Sequence, residues 1–157
     1  MSTRLRPMRP DEFDGWAQES TRAYAHDISQ NGGLPRDLAE RKAETDFASV
    51  LPHGLDTPGQ TIRVVEDDEA GAVGVVWYAE RELDLRRVTF LYEITIREEH
   101  RGRGHGRMAM QLFEEEVRRN GGRELELNVF GGNNVARNLY RSLGYRESSV
   151  HMTKTLE

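Results

Sequence analysis

The sequence predicts an α+β fold on a mixed, mostly antiparallel sheet, and two features of its element order support that class. First, three strand-like segments follow one another directly, and the turn residues Asp67–Gly71 join the first two as a hairpin. Second, the remainder alternates helix and strand, which is the order that brings parallel strands into one sheet. We therefore expect six to seven strands together with about four helices.

The predicted strands are segments rich in β-branched and aromatic residues, or segments in which apolar and polar residues alternate. In the segment after residue 124, Leu125 and Leu127 alternate with Glu124 and Glu126, as in a half-buried strand. The predicted strands cover residues 3–8, 61–66, 72–79, 88–96, 125–129 and 150–156.

Four helices are predicted from apolar residues that recur at helical spacing. The first begins after Arg9 and carries Trp16, Ser20 and Tyr24 on one stripe, and the polar segment 27–33 then forms a loop. The other three helices cover approximately residues 35–51, 107–119 and 134–143.

The composition is typical of a soluble globular protein and removes several function classes. The chain has 157 residues, 36% apolar and 31% charged, with no linker-like segment, so we expect one domain. No apolar run reaches the roughly 20 residues that a bilayer requires, and the N-terminus lacks the apolar stretch of a signal peptide. We therefore expect a cytoplasmic protein without a membrane partner.

The absence of cysteine excludes thiolate metal sites and cysteine nucleophiles, and no metal is predicted. The net charge of −5 argues against nucleic acid as the main partner.

The segment Arg101–Gly106 is a glycine-rich turn between a predicted strand and a helix. Successive backbone N–H groups of such a turn can converge on a phosphate, and the following helix adds the positive end of its dipole. Glycines at alternate positions keep side chains out of this approach, while Arg101, Arg103 and Arg107 add positive charge. The pattern indicates a phosphate-binding turn.

Two other phosphate loops fit the turn less well. A Walker A loop ends in Gly-Lys-Ser/Thr, whereas Gly106 is followed by Arg107 and Met108. The dinucleotide fingerprint needs its third glycine one residue later and an acidic residue at the end of the next strand. A glycine-rich turn without any ligand is the remaining interpretation of these residues alone.

Together with a second motif near the C-terminus, the turn resembles the GNAT family of N-acetyltransferases. That family carries Gln/Arg-x-x-Gly-x-Gly/Ala after its fourth strand, which Arg101–Gly106 fits. It also carries Asn-x-x-Ala-x-x-Leu-Tyr-x-x-x-Gly-Phe/Tyr, which residues 133–145 match at every defined position. The resemblance implies the GNAT fold with a centrally splayed sheet. Residues 61–157 would then form the acyl-CoA-binding core, and residues 1–60 the variable acceptor-side helices.

The resemblance also implies that acetyl-CoA is the cosubstrate and which segments hold it. Backbone groups of Ile94–Ile96 would bind the pantetheine arm as an added strand does, and the amides of Arg101–Arg107 would hold the pyrophosphate. The Asn133 side chain would contact the pantetheine, and the Tyr140 hydroxyl would lie near the thioester sulfur. The implied cofactor-binding positions are Ile94, Thr95, Ile96, Arg101, Gly102, Arg103, Gly104, His105, Gly106, Arg107, Asn133, Ala136 and Tyr140.

Acetyl transfer to an amine needs one group that accepts a proton and one that donates a proton to the leaving thiolate. Tyr140 suits the second task, because an ordinary phenol has a pKa of about 10 and is protonated at neutral pH. Glu93 precedes Ile94 on the strand, where its carboxylate could accept the proton directly or through water. A surface glutamate on an alternating strand is the equal alternative for Glu93. Without cysteine, direct attack in a ternary complex is expected rather than an acyl-enzyme route.

The acceptor site is predicted from the first two helices and the strand over residues 88–96. Aromatic side chains next to carboxylates suit a cationic amine, so we expect a small-molecule amine acceptor. The candidate acceptor-binding residues are Tyr24, His26, Trp77, Tyr92, Glu93 and Asn128. Each is also explained as a core aromatic or a surface polar residue.

Two alternatives remain open from the sequence. Within the same class, the acceptor could be a protein N-terminus or a lysine side chain. In another class, the chain could be a non-catalytic module that binds acyl-CoA and senses it, although the retained Tyr140 speaks against this. A homodimer is compatible with the family resemblance.

Overall fold

The computed structural model describes residues 2–157 and confirms the α+β class with its four α-helices. The first half contains the N-terminal strand, two long helices and three consecutive strands. The second half contains the remaining helices on either side of a short strand. In chain order the elements are β1 (Thr3–Pro7), α1 (Pro10–Gly32), α2 (Arg36–Val50), β2 (Gln60–Asp67), β3 (Gly71–Leu83), β4 (Arg86–Ile96), α3 (His105–Arg119), β5 (Leu125–Leu127) and α4 (Asn134–Ser142).

The sheet has the order β1-β2-β3-β4-β5, and each strand is hydrogen-bonded to the next along the chain. The first four strands are antiparallel, which confirms the predicted meander, and β5 runs parallel to β4. The expected count of six to seven strands is too high, because the described chain forms five. Residues 150–156, predicted as the last strand, have no regular structure, and β5 stops at Leu127 instead of residue 129.

Helix α1 is longer than the sequence pattern predicts. The segment 27–33, expected as a loop, continues the helix as far as Gly32, and Gly33 ends it at a positive φ of 68°. A tertiary contact explains the longer helix. Ile28 is buried, so the helical conformation of this otherwise polar segment removes one apolar side chain from water. His26, expected in a loop, therefore lies on α1.

Two apolar clusters lie on opposite faces of the sheet. One joins the sheet to α3 and α4 and includes Val73, Phe113 and the half-buried Tyr140. The other joins the sheet to α1 and α2 and includes Trp16 and Trp77. The sheet thus separates a layer formed by α1 and α2 from a layer formed by α3 and α4.

Two further findings concern the described residues as a whole. Among residues 2–157, no helix combines the length and the apolar character needed to cross a membrane. The same residues contain no group of three or more His, Asp or Glu side chains arranged to hold a metal ion.

Candidate active site

An opening lies between β4 and β5, the last two strands of the sheet order. The two strands pair only from Thr89 to Leu91 on β4, whereas β4 continues to Ile96. Beyond Leu91, this edge of β4 has no strand partner within residues 2–157, although its other edge stays paired with β3. The splay expected from the family resemblance is therefore present. Ile94, Thr95 and Ile96 lie on the unpaired stretch, where an extended ligand can be added like a strand.

A bulge in β4 brings two neighbouring side chains to the same face. Trp77 pairs with Glu93 and Tyr78 pairs with Leu91, so Tyr92 is the extra residue. The Tyr92 ring stacks on Trp77 with 4.5 Å between ring centroids, and Trp16 packs edge-on against Trp77 at 5.6 Å. Since Trp16 also binds Glu93, both Tyr92 and Glu93 point toward α1. A bulge redirects side chains in this way, and here it aims a carboxylate at a helix.

Glu93 is held by two donors from α1. The Trp16 indole N–H donates to Oε2 over 2.7 Å, and the Ser20 hydroxyl donates to Oε1. Burial raises the pKa of the Glu93 carboxyl, and the hydrogen bonds from Ser20 and Trp16 act in the opposite direction. The carboxylate is therefore a fixed proton acceptor that is more basic than an exposed glutamate.

The glycine-rich turn presents a series of backbone donors. In the described chain, the N–H of Arg101 donates to the carbonyl of Glu98, and the next N–H with a backbone partner is that of Met108. The six N–H groups of residues 102–107 between them have no carbonyl partner. Gly102 and Gly104 have φ values of 77° and 84°, and an added Cβ at either would meet open space. This arrangement, at the start of α3, is suited to bind an anion.

The arginines of the turn have different surroundings. The Arg101 side chain folds back and donates from Nε to the Ile96 carbonyl over 2.8 Å, which ties the turn to the end of β4. Arg107 donates to the Ser142 hydroxyl over 2.7 Å and so links α3 to α4. Arg103 is exposed. His105 is buried at 6% exposure, so its side chain belongs to the core and only its backbone N–H is available to a ligand.

Helix α4 places Tyr140 beside the first turn of α3. A Cβ added to Gly106 would lie 3.7 Å from the Leu139 side chain, so the two helices are in close contact there. Tyr140 is half-buried in the cluster with α3, and its hydroxyl has no hydrogen-bond partner among residues 2–157. Burial raises the pKa of this phenol, which keeps it protonated. It is thus a proton donor without a partner in the protein.

The N-terminus of α4 is capped by Asn133. Its Oδ1 accepts the Ala136 N–H over 3.2 Å, and the rest of the amide is exposed. The residue predicted to contact the pantetheine therefore also has a structural task. Its amide nitrogen remains available as a donor.

The predicted acceptor residues do not all come together. Trp77 and Tyr92 lie next to Glu93, but the Tyr24 hydroxyl donates to Asp46 on α2 over 2.9 Å. His26 lines a groove between α1 and α2, on a different face of α1 from Ser20. Asn128 is exposed just beyond the end of β5.

Trp16 and Ser20 are the site residues that the sequence reasoning missed. The signal was available, because they are four residues apart and share one face of α1. Ser20 is a polar residue on an otherwise apolar stripe, and it is 7% exposed. A buried hydroxyl at such a position requires a partner, and that partner is Glu93.

Comparison with known proteins gives a consistent result. The sequence profile of the Acetyltransferase (GNAT) family matches residues 14–145. The uncharacterized N-acetyltransferase YycN of Bacillus subtilis (strain 168) is 32% identical over 157 residues, covering 99% of this chain and 100% of YycN. The uncharacterized N-acetyltransferase YdgE of the same organism is 27% identical over 156 residues, covering 99% of both chains.

Solved structures share the fold. The crystal structure of YycN has a TM-score of 0.94 at 29% identity and covers 99% of both chains. The aminoglycoside N-acetyltransferase AAC(6')-Iy, solved with CoA, has a TM-score of 0.63 at 17% identity and covers 99% of this chain and 95% of its own. The profile match and the relative that is 32% identical along the chain establish the conclusion that the motifs predicted. This protein belongs to the GNAT family and is an acetyltransferase.

Proposed function

We propose that the protein transfers an acetyl group from acetyl-CoA to a primary amine of a small molecule, with Glu93 as proton acceptor and Tyr140 as proton donor. The observation that carries the proposal is the half-buried Glu93 carboxylate at the bulge of the splayed strand. It is held by Trp16 and Ser20 directly beside the unpaired edge of β4.

The residues of the opening fit acetyl-CoA, which the family uses. The N–H groups of residues 102–107 and the dipole of α3 would hold the diphosphate. The unpaired edge of β4 at Ile94–Ile96 and the amide nitrogen of Asn133 would bind the pantetheine arm. When bound, acetyl-CoA supplies the acetyl group as a thioester.

The two proton-transfer groups lie on opposite sides of the opening. Glu93 faces the layer of α1 and α2 and would accept the proton that the amine nitrogen loses. Tyr140 packs in the layer of α3 and α4, and its hydroxyl would protonate the departing sulfur. The chain has no cysteine to carry an acyl group, so the amine attacks the donor directly.

A cationic small molecule suits the acceptor side. Asp27 follows Ser20 by two helical turns and so shares the face of α1 that leads to Glu93. Burial raises the pKa of Asp27, and its carboxylate makes no ion pair within residues 2–157. The half-buried Tyr92 ring lies beside Glu93, stacked on the buried Trp77 ring. An acceptor with a second positive charge would pair with Asp27 while its reacting amine lies at Glu93.

The experiment is release of free thiol from acetyl-CoA across matched amines. The panel contains a diaminoalkane, a monoaminoalkane of equal length, a lysine peptide and a peptide with a free N-terminus. We expect amine-dependent release with the lowest KM for the diamine. Preference for a peptide would contradict the small-molecule acceptor. Binding of acetyl-CoA without turnover on any amine would instead support a sensor.

A further inference from the structure

Arg81 on β3 is a half-buried arginine that forms no ion pair within residues 2–157. The two arginines that follow it on the same hairpin each have a carboxylate partner. Arg86 pairs with Glu124 at 3.1 Å, and Arg87 pairs with Glu80 at 3.8 Å. A charge that is partly removed from water normally has an oppositely charged partner in the protein. Arg81 therefore carries a positive charge that the described chain does not neutralise.

Two aromatic rings fix the position of the Arg81 guanidinium. Its central carbon lies 4.0 Å from the centroid of the Phe90 ring and 5.0 Å from the centroid of the Tyr92 ring. The terminal nitrogen Nη2 donates a hydrogen bond to the Tyr92 hydroxyl over 2.6 Å. These contacts order a long side chain in advance, so binding a ligand would cost little additional side-chain entropy.

Hydrogen-bond donors remain available at this position. The Nε and Nη1 groups of Arg81 donate to no acceptor within residues 2–157, and neither is fully enclosed by protein. The Tyr92 hydroxyl accepts from Arg81 and donates to no group in the same residues, so its hydrogen is available as well. A guanidinium carries only donors, and an ionised carboxylate carries only acceptors. Charge-assisted hydrogen bonds between the two are strong, so the pair of side chains is suited to a carboxylate.

This pair of side chains lies beside the proposed base. Arg81 and Trp77 share one face of β3, because side chains four residues apart on a strand point in the same direction. Trp77 pairs with Glu93 in the sheet register and stacks on Tyr92. At about 3.3 Å per strand residue, the Cα atoms of Trp77 and Arg81 are roughly 13 Å apart, and the Arg81 side chain reaches back to Tyr92. One small molecule can therefore contact both Glu93 and Arg81.

We infer that Arg81 and Tyr92 bind a carboxylate group of the acceptor. The inference rests on the proposed function, because it adds an anionic group to the small amine whose reacting nitrogen lies at Glu93. With a second ammonium group at Asp27, the acceptor class is a diamino carboxylic acid. A diamine without the carboxylate leaves the Arg81 charge unpaired.

Two pairs of compounds that differ only in the carboxylate test the inference by binding. Cadaverine is lysine with its carboxylate replaced by hydrogen, and putrescine is related to ornithine in the same way. Calorimetric titration of the CoA-loaded protein measures their affinities without turnover. The amino acid of at least one pair should bind roughly tenfold more tightly than its diamine, the scale of a hydrogen bond between charged groups. Equal or weaker binding of both amino acids would overturn the inference.

Substitutions on the hairpin show whether Arg81 causes the preference. Arg81→Gln removes the charge, so the amino acid of the preferred pair should lose its advantage over the diamine. Arg87→Gln is the matched control and should keep that advantage, because Arg87 is exposed and pairs with Glu80. Binding of CoA shows that each variant is folded. An advantage that persists in Arg81→Gln, or that both variants lose equally, would contradict the assignment to Arg81.

Thiol release from acetyl-CoA with the same compounds separates this inference from the proposed function. Equal kcat/KM for the two members of each pair would contradict the carboxylate site and would support the proposed function. No release with any amine would contradict the proposed function, and the affinities of the two pairs would then decide on the carboxylate site by themselves.

Discussion

Glu93 combines two opposing influences on one carboxylate. Burial raises its pKa, while the hydroxyl of Ser20 and the indole of Trp16 stabilise the charged form. A general base must be basic enough to take a proton and yet deprotonated at the working pH. The hydrogen bonds from Trp16 and Ser20 oppose the effect of burial on the pKa of Glu93. Trp16 and Ser20 are therefore positioning residues for the proposed base.

Removing either donor should shift the pH dependence of the reaction. In Ser20→Ala or Trp16→Phe the charged form of Glu93 loses a hydrogen bond, so its pKa rises further. The acidic limb of kcat/KM should therefore move to higher pH in each variant. Thr21→Ala is the control, since its hydroxyl bonds to the Ala17 carbonyl. An unmoved limb in both variants would show that Glu93 is not the titrating base.

Tyr140→Phe should lower kcat by about 10²-fold, the usual scale for a lost general acid. Acetyl-CoA affinity and thermal stability should stay nearly unchanged, because the Tyr140 hydroxyl has no partner in the described protein.

Tyr145→Phe is the matched control. The Tyr145 hydroxyl binds Glu114 over 2.9 Å, so that variant should lose stability and keep kcat. Steady-state kinetics with calorimetric titration of CoA distinguish the two; an unchanged kcat in Tyr140→Phe would refute the acid role.

At the scale of elements, the glycine turn can be tested with a matched pair of glycines. Gly104 and Gly121 have φ values of 84° and 86°, and a Cβ at either would meet no atom within 4 Å. Substitution of either glycine by alanine should therefore lower the free energy of unfolding by about 1–2 kcal/mol. Only Gly104→Ala should also weaken CoA binding, because its Cβ enters the space in front of the free N–H groups. Calorimetric titration with CoA measures this, and equal affinity in both variants would argue against the turn as the diphosphate site.

The sequence predicted elements whose patterns are local. The three-stranded meander, the helix after Gly106 and the cap of α4 at Asn133 are confirmed. Contacts between residues that are distant in the sequence leave no local pattern and were not predicted. The last turns of α1 depend on the burial of Ile28, and the Ser20–Glu93 bond joins residues 73 positions apart.

The segment 150–156 shows another limit of sequence patterns. Alternation identifies a segment that can form a strand, but it does not identify the strand that pairs with it. Within residues 2–157 that pairing is absent, so the predicted strand is wrong.

At the scale of the whole molecule, the sheet divides the site in two. The proposed acid is in the layer of α3 and α4, and the proposed base faces the layer of α1 and α2. The gap lies where β4 extends beyond its pairing with β5. Reactants bound there can contact side chains of both helix layers. A donor bound from one side and an amine bound from the other would then meet with both proton-transfer groups beside them.

The decisive measurement for the proposed role of Glu93 is amine-dependent thiol release by Glu93→Gln. The amide preserves an acceptor for the Trp16 N–H and removes a buried charge, so the midpoint of thermal unfolding should not fall. CoA binding should be retained while kcat falls by about 10²-fold or more relative to the unaltered protein at the same pH. Full turnover by a folded Glu93→Gln protein would contradict it.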